Sequence, residues 1–128
     1  MATFNSVTTS LRSKEIITSL TNKLSLGAEN VIARIAFAYS LSREEKLDLK
    51  NLSDGKGKLY PAKVLFGDYQ EVYLGMLCEL YGIKLIDSSL PKYVKLHIDH
   101  GLEIMEPYAN NDGFDFLVRC IEEGLAEV

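Results

Sequence analysis

The fold is decided near the N-terminus by a stretch that reads Phe4-Asn5-Ser6-Val7-Thr8-Thr9-Ser10-Leu11-Arg12. Its β-branched residues favour extended backbone over helix. Alternate residues of a strand point to opposite faces, so small hydroxyl side chains at Ser6, Thr8 and Ser10 share one face. The stretch therefore predicts a short strand over residues 4–12.

Two amphipathic helices are predicted directly after this strand. Ser13 is a plausible N-cap, and Ile16, Ile17 and Leu20 recur at the spacing of one helix face. Gly27 ends the first helix, and the second runs over residues 28–42. Residues 1–42 thus form a strand–helix–helix unit.

The strand has no obvious neighbour within the chain, and an isolated strand leaves a row of unpaired backbone groups. Pairing with the same strand of a second copy would satisfy those groups. That arrangement is the two-stranded ribbon of ribbon–helix–helix proteins, and the DNA major groove is wide enough to admit it.

The remaining residues, 43–128, predict a helical remainder of the same domain. A polar segment over residues 43–59 precedes a helix over 62–81, another from Pro91 to Pro107, and a last one over 114–125. The prediction is one mainly α domain spanning residues 1–128, with about four to five helices, assembled as an oligomer.

Charge is divided unevenly along the 128 residues, which carry a net charge of −4. Residues 1–66 sum to +4 and residues 67–128 to −8. A basic half joined to an acidic half suits one side that faces an anion and another that faces protein or solvent. No apolar run could span a bilayer and no secretory signal is visible, so we expect a cytoplasmic protein without a membrane partner.

The chain offers no catalytic constellation. Phosphate loops, dinucleotide fingerprints and nucleophile elbows are absent from the sequence. His97 and His100 form an H-x-x-H pair, but no third or fourth ligand lies in register, so packing is favoured over a metal site. We expect a protein that is not an enzyme and that carries no cofactor or metal.

Three stretches together resemble the DndE family of DNA sulfur modification proteins from bacterial phosphorothioation systems. The stretches are Asn30-Val31-Ile32-Ala33-Arg34-Ile35-Ala36, Leu65-Phe66-Gly67-Asp68-Tyr69-Gln70-Glu71-Val72-Tyr73 and Leu96-His97-Ile98-Asp99-His100-Gly101-Leu102. The resemblance implies a small helical protein that forms a homotetramer. It also implies binding of duplex DNA, with a preference for nicked DNA, beside partner proteins that supply the sulfur and the ATP-dependent steps.

The leading hypothesis is an accessory subunit that binds the DNA phosphate backbone. The cations expected at the DNA are Arg12, Lys14, Lys23, Lys56, Lys58 and Lys63. Two alternatives stay open: a ribbon–helix–helix transcriptional regulator, and a scaffold that contacts only the other proteins of the complex. The sequence leaves undecided whether Arg34 contacts DNA or a neighbouring subunit, and what the tail after Pro107 does.

Overall fold

The computed structural model describes residues 4–24 and 28–107. In chain order its elements are β1 (Ser6–Thr8), α1 (Leu11–Leu24), α2 (Glu29–Ser42), a 3₁₀ turn (Leu49–Asn51), β2 (Leu59–Pro61), α3 (Ala62–Phe66), a second 3₁₀ turn (Gly67–Tyr69), α4 (Gln70–Tyr81) and α5 (Leu90–Met105). The prediction of a mainly α fold with an N-terminal strand is confirmed. The helix predicted over residues 114–125 lies outside the described residues.

Strand β1 pairs within the chain, which corrects the expectation that it lacks an intrachain neighbour. Its partner is β2, and the antiparallel register places Val7 opposite Tyr60. Both side chains are buried. Three residues ending in a proline give no strand signal in the sequence, so the pairing was missed. Because β1 already has a partner in its own chain, it does not need the same strand of a second copy to form a ribbon.

Helix α1 begins two residues earlier than the predicted cap. The Ser10 hydroxyl accepts a hydrogen bond from the backbone N–H of Ser13, at 3.0 Å. Ser10 is thus the N-cap residue and Ser13 lies in the first turn, since a cap side chain accepts from the third helical position. Ile16, Ile17 and Leu20 are buried as the spacing predicted.

The helix predicted over residues 62–81 is interrupted. Gly67 has a φ of +59°, a conformation that glycine adopts without steric penalty, and the second 3₁₀ turn separates α3 from α4 there. Arg34 stabilises the break because its guanidinium donates to the carbonyls of Leu65 at 2.6 Å and Val64 at 3.2 Å. Arg34 therefore forms hydrogen bonds with carbonyl groups at the end of α3 in its own chain.

The core forms where α2 packs against α5, whose second residue is Pro91, as the helix-start signal indicated. Phe37, Phe66 and Tyr73 form aromatic contacts beside this pair of helices. The largest fully buried side chains are Tyr60, Phe4, Phe37, Phe66, Ile17, Leu20, Ile32, Leu65, Leu77, Leu90, Ile98 and Leu102. Among the helices described, none is both long and apolar enough to cross a membrane.

Candidate nucleic-acid interface

Four of the six predicted DNA-contacting residues, Arg12, Lys14, Lys56 and Lys58, belong to two segments that lie together. The Asp54 carboxylate joins them, because its Oδ1 accepts from the backbone N–H of Leu11 at 3.0 Å and from that of Lys56 at 2.9 Å. The first turn of α1 and residues 54–58 are thereby held side by side. We call these four cations the basic surface.

Thr9 fixes the other end of this loop. Its hydroxyl accepts from the backbone N–H of Lys58 at 3.0 Å, and its carbonyl accepts from that of Gly57 at 2.8 Å. The backbone N–H of Thr9 in turn donates to the Lys58 carbonyl at 3.0 Å. The loop is thus bonded to the start of α1 along its length.

Carboxylates lie among the cations of the basic surface. The Lys58 ammonium is 3.3 Å from Glu29, and the Arg12 guanidinium donates to both oxygens of Glu106, at 2.8 and 3.1 Å. A hydrogen bond from Thr18, aided by Lys58 and Lys14, lowers the pKa of Glu29. These ion pairs are solvent-exposed, so a phosphate can compete for the cations at modest cost.

Backbone hydrogen bonding also lowers the pKa of Asp54, first from Lys56 and then from Leu11. The carboxylate is therefore ionised at neutral pH, where it holds the loop. Sequence reasoning missed this role, although the order Asp54-Gly55-Lys56-Gly57 is the usual signature of a turn in which an aspartate accepts from the backbone two residues on.

Lys23 and Lys63 occupy other parts of the molecule. Lys23 lies in the last turn of α1, about 16 Å along the helix axis from Arg12 at 1.5 Å per residue. Lys63 is exposed in the first turn of α3, beyond strand β2. Neither is joined to the loop of residues 54–58 by the hydrogen bonds that hold the basic surface.

The small hydroxyl residues of the N-terminal strand are poorly placed for reading bases. Ser10 is 3% exposed, and its hydroxyl caps α1. Ser6 and Thr8 are half-buried in β1. The structure therefore gives no support to base contacts through the strand hydroxyls.

A solvent-open cavity of about 410 Å³ lies beside Arg12, between the start of α1, residues 47–53 and the middle of α5. Asp99 lies in its wall and accepts hydrogen bonds from the hydroxyls of Ser13 and Ser53, the latter at 2.6 Å. Its charge is thus already stabilised by protein donors. The cavity carries no arrangement that singles out one ligand.

The H-x-x-H pair is part of a hydrogen-bond network. The Ser40 hydroxyl lies 2.8 Å from Nδ1 of His97 and 2.7 Å from Nδ1 of His100. Within residues 4–24 and 28–107, no group of three or more His, Cys, Asp or Glu side chains is arranged to hold a metal ion. His97 is fully buried, in agreement with the packed histidine favoured from the sequence.

Comparisons with known proteins place the chain in a family. A solved structure that resembles it is the crystal structure of DndE from Escherichia coli B7A, involved in DNA phosphorothioation modification. That structure has a TM-score of 0.66 and 20% sequence identity, and the match covers 80% of this chain and 97% of that one. Curated proteins give no sequence match. The family model of the DNA sulphur modification protein DndE matches residues 6–112, and the chain therefore belongs to the DndE family.

Proposed function

We propose that this chain is a DNA-binding accessory subunit of a DNA phosphorothioation complex. It would hold duplex DNA by the phosphate backbone and leave the sulfur chemistry and the ATP-dependent steps to partner proteins. Membership of the DndE family supports a role in DNA phosphorothioation, and the E. coli relative is described as involved in the same modification. The subunit positions DNA and has no catalytic role of its own.

The observation that carries the DNA-binding part is the bonding of residues 54–58 to the start of α1. Asp54 and Thr9 hold the two segments together, so the cations they bear are presented from a fixed backbone. Pre-organised cations lose less conformational entropy on binding than cations on a mobile loop. Phosphate contacts of this kind fix position on a duplex without reading its sequence.

A preference for nicked DNA is a further part of the proposal. A nick removes the continuity of one strand, so the duplex bends there at lower energetic cost than an intact one. Cations on a rigid protein surface can then reach phosphates on both sides of the break. We infer that the nicked duplex makes contacts that the intact duplex can make only if it is bent, which costs free energy.

Assembly into a homo-oligomer, with the tetramer as the expected form, is a further part of the proposal. Large apolar side chains near the α3–α4 break support it: Val64, Tyr69 and Val72 are 48%, 68% and 55% exposed. Contact between copies would remove that apolar surface from water. Sedimentation of the wild type and of Tyr69→Ser tests this part, since an oligomer that uses Tyr69 would dissociate at higher concentration in the variant.

A scaffold that contacts only proteins is the second candidate. The observation in its favour is the presence of Glu29, Asp54 and Glu106 among the four cations of the basic surface. Such mixed charge suits a protein partner as well as a phosphate backbone. It predicts that the chain has no salt-dependent affinity for DNA.

The test compares Lys56→Ala with Lys84→Ala, because both remove one exposed lysine but only Lys56 belongs to the basic surface. We expect Lys56→Ala to weaken DNA binding and to reduce the slope of log K against log salt by about 0.9, the value of one lost phosphate contact. Lys84→Ala should change neither. If the two variants bound DNA with the same affinity and the same salt slope, the loop would not be part of the DNA interface.

A further inference from the structure

The histidine network, which we define as Tyr81, His97, Ser40 and His100, begins at a backbone group. The N–H of Leu47 donates to the Tyr81 hydroxyl at 2.8 Å, and that hydroxyl lies 2.7 Å from Nε2 of His97. Nδ1 of His97 lies 2.8 Å from the Ser40 hydroxyl. Three elements, α4, α5 and α2, thus meet through one buried imidazole.

The network continues to the surface through the second histidine. Nδ1 of His100 lies 2.7 Å from the same Ser40 hydroxyl, and its Nε2 lies 3.7 Å from the Glu45 carboxylate. His100 also lines the solvent-open cavity, whereas His97 is fully buried. The middle of the network, at His97, is therefore buried, and its His100 end is in contact with water.

The bonding partners determine which atoms carry protons. Tyr81 already accepts from the Leu47 N–H, so within the network its own proton is satisfied by donating to Nε2 of His97. The proton of neutral His97 is then on Nδ1, which donates to Ser40. Ser40 has one proton, which it donates to Nδ1 of His100, and the His100 proton on Nε2 faces Glu45.

The network holds the connector, which we define as residues 43–58 between α2 and β2, on the helices. Glu45 and Leu47 lie at its start and are the two residues that the network contacts. Its far end is held separately, because the Lys95 ammonium donates to the carbonyls of Ser53, at 3.0 Å, and Asp54. Proton binding at the histidines would thus act on the start of the connector only.

We propose that the histidine network is a proton-controlled contact that holds the start of the connector, residues 43–48, on α4 and α5 at neutral pH and releases it in acid. A proton on Nε2 of His97 leaves the Tyr81 hydroxyl without an acceptor. It also places a charge on an imidazole that is fully buried. Release of residues 43–48 admits water and relieves both costs.

The groups that face the two imidazoles differ, and the direction of the release is set at His97, which is fully buried. Glu45 approaches His100 from the connector, and Arg12 faces the same cavity from α1. Asp99 and Glu103 of α5 itself line that cavity. His97 meets Tyr81 from α4, and burial, followed by the neighbouring His100, lowers its pKa to about 4. A released, hydrated His97 would regain its ordinary pKa of 6.5 and so favour the open form in acid.

The test is amide hydrogen exchange at Leu47, expressed as a protection factor so that the pH dependence of intrinsic exchange is removed. Between about pH 7.5 and pH 4.5 we expect the protection of Leu47 to fall on the order of 50-fold, from the difference between pKa values of 6.5 and about 4. The amide of Ile98, in the core of α5, should stay better protected than that of Leu47 at each pH, because it exchanges through unfolding of the whole protein. Constant protection of Leu47 over this range would overturn the proposal.

Two variants isolate the hydroxyl that begins the network. Tyr81→Phe removes it, so Leu47 should be weakly protected already at neutral pH. Tyr93→Phe is the matched control, because the Tyr93 ring stacks on Tyr81 at 3.9 Å and its loss of a hydroxyl leaves the network intact. The imidazole ¹⁵N shifts supply a second readout: His97 should carry its proton on Nδ1 and His100 on Nε2. The opposite assignment would contradict the mechanism.

Discussion

Gly101 of α5 lies against the backbone of Ala36 in α2. A Cβ built at position 101 would fall 1.9 Å from the Ala36 carbonyl oxygen and 2.5 Å from its carbonyl carbon. Backbone atoms in a helix cannot move aside as a flexible side chain can. The two helices that form the centre of the core therefore approach each other as closely as they do because residue 101 has no side chain.

Gly101→Ala should destabilise the protein by about 3 kcal/mol, because the methyl group forces the two helices apart. Gly75→Ala is the matched control: Gly75 is an exposed position of α4, and an added Cβ meets nothing within 4 Å. It should stabilise by about 0.5–1 kcal/mol through helix propensity. Urea unfolding of both variants measures the difference, and a stable Gly101→Ala would show that the helices are farther apart.

Gly57→Ala should loosen the basic surface. An added Cβ would fall 2.3 Å from the Ser10 carbonyl oxygen and 2.5 Å from the Thr9 hydroxyl, so residues 54–58 must move away from α1. We expect a loss of about 2 kcal/mol in stability and weaker DNA binding. At Gly55 a Cβ meets nothing within 4 Å, so Gly55→Ala serves as the control. If both variants bound DNA with the same affinity, the position of the loop would not matter for DNA binding.

Helical periodicity was enough to predict the helices and their buried stripes at Ile16, Ile17 and Leu20. It failed where a local backbone feature overrides the period. An uninterrupted helix over residues 62–81 would place Tyr69 and Val72 on the same face as Leu65, but Gly67 interrupts it and they are 68% and 55% exposed.

Long-range bonds account for the features that local patterns do not predict. Strand β2 has three residues, and its pairing with β1 spans more than fifty positions of sequence, which no local pattern reports. Asp54 and Thr9 bring four of the six predicted cations together through bonds of the same kind. Lys23 and Lys63 lie outside this group, and charge alone does not say which face of the molecule a residue occupies.

The stability of the protein should fall as the pH is lowered from about 6.5 toward 4. Folding lowers the pKa of His97 from 6.5 to about 4, so in this interval the unfolded chain binds a proton that the folded chain does not. The free energy of unfolding then decreases by about 3 kcal/mol in total. Glu29 and Asp54 contribute only below their ordinary values of 4.5 and 3.8, since their pKa values are lowered.

Unfolding measured at several pH values checks this expectation, with His97→Gln as the comparison. The variant is expected to be less stable at neutral pH, but its free energy of unfolding should change little between about pH 6.5 and 4.5. An unchanged pH slope in the variant would mean that another group binds the proton.

Glu29→Gln should strengthen DNA binding about threefold. The change removes the charge that pairs with Lys58 at 3.3 Å, and a pair this exposed is worth a fraction of a kcal/mol. The amide oxygen can still accept the hydrogen bond from Thr18. Glu79→Gln, on the exposed side of α4, makes the same change of net charge elsewhere. If both variants gain equally, net charge alone explains the effect and the Lys58 pair does not.

The central claim, that this DndE-family chain binds the phosphate backbone of DNA, is tested most directly by a binding titration. The purified protein is titrated with an intact duplex and with a singly nicked duplex of the same sequence, each at two salt concentrations. The account predicts binding that weakens steeply with salt and is tighter for the nicked duplex. Absence of binding to both duplexes, or an affinity that does not depend on salt, would contradict it.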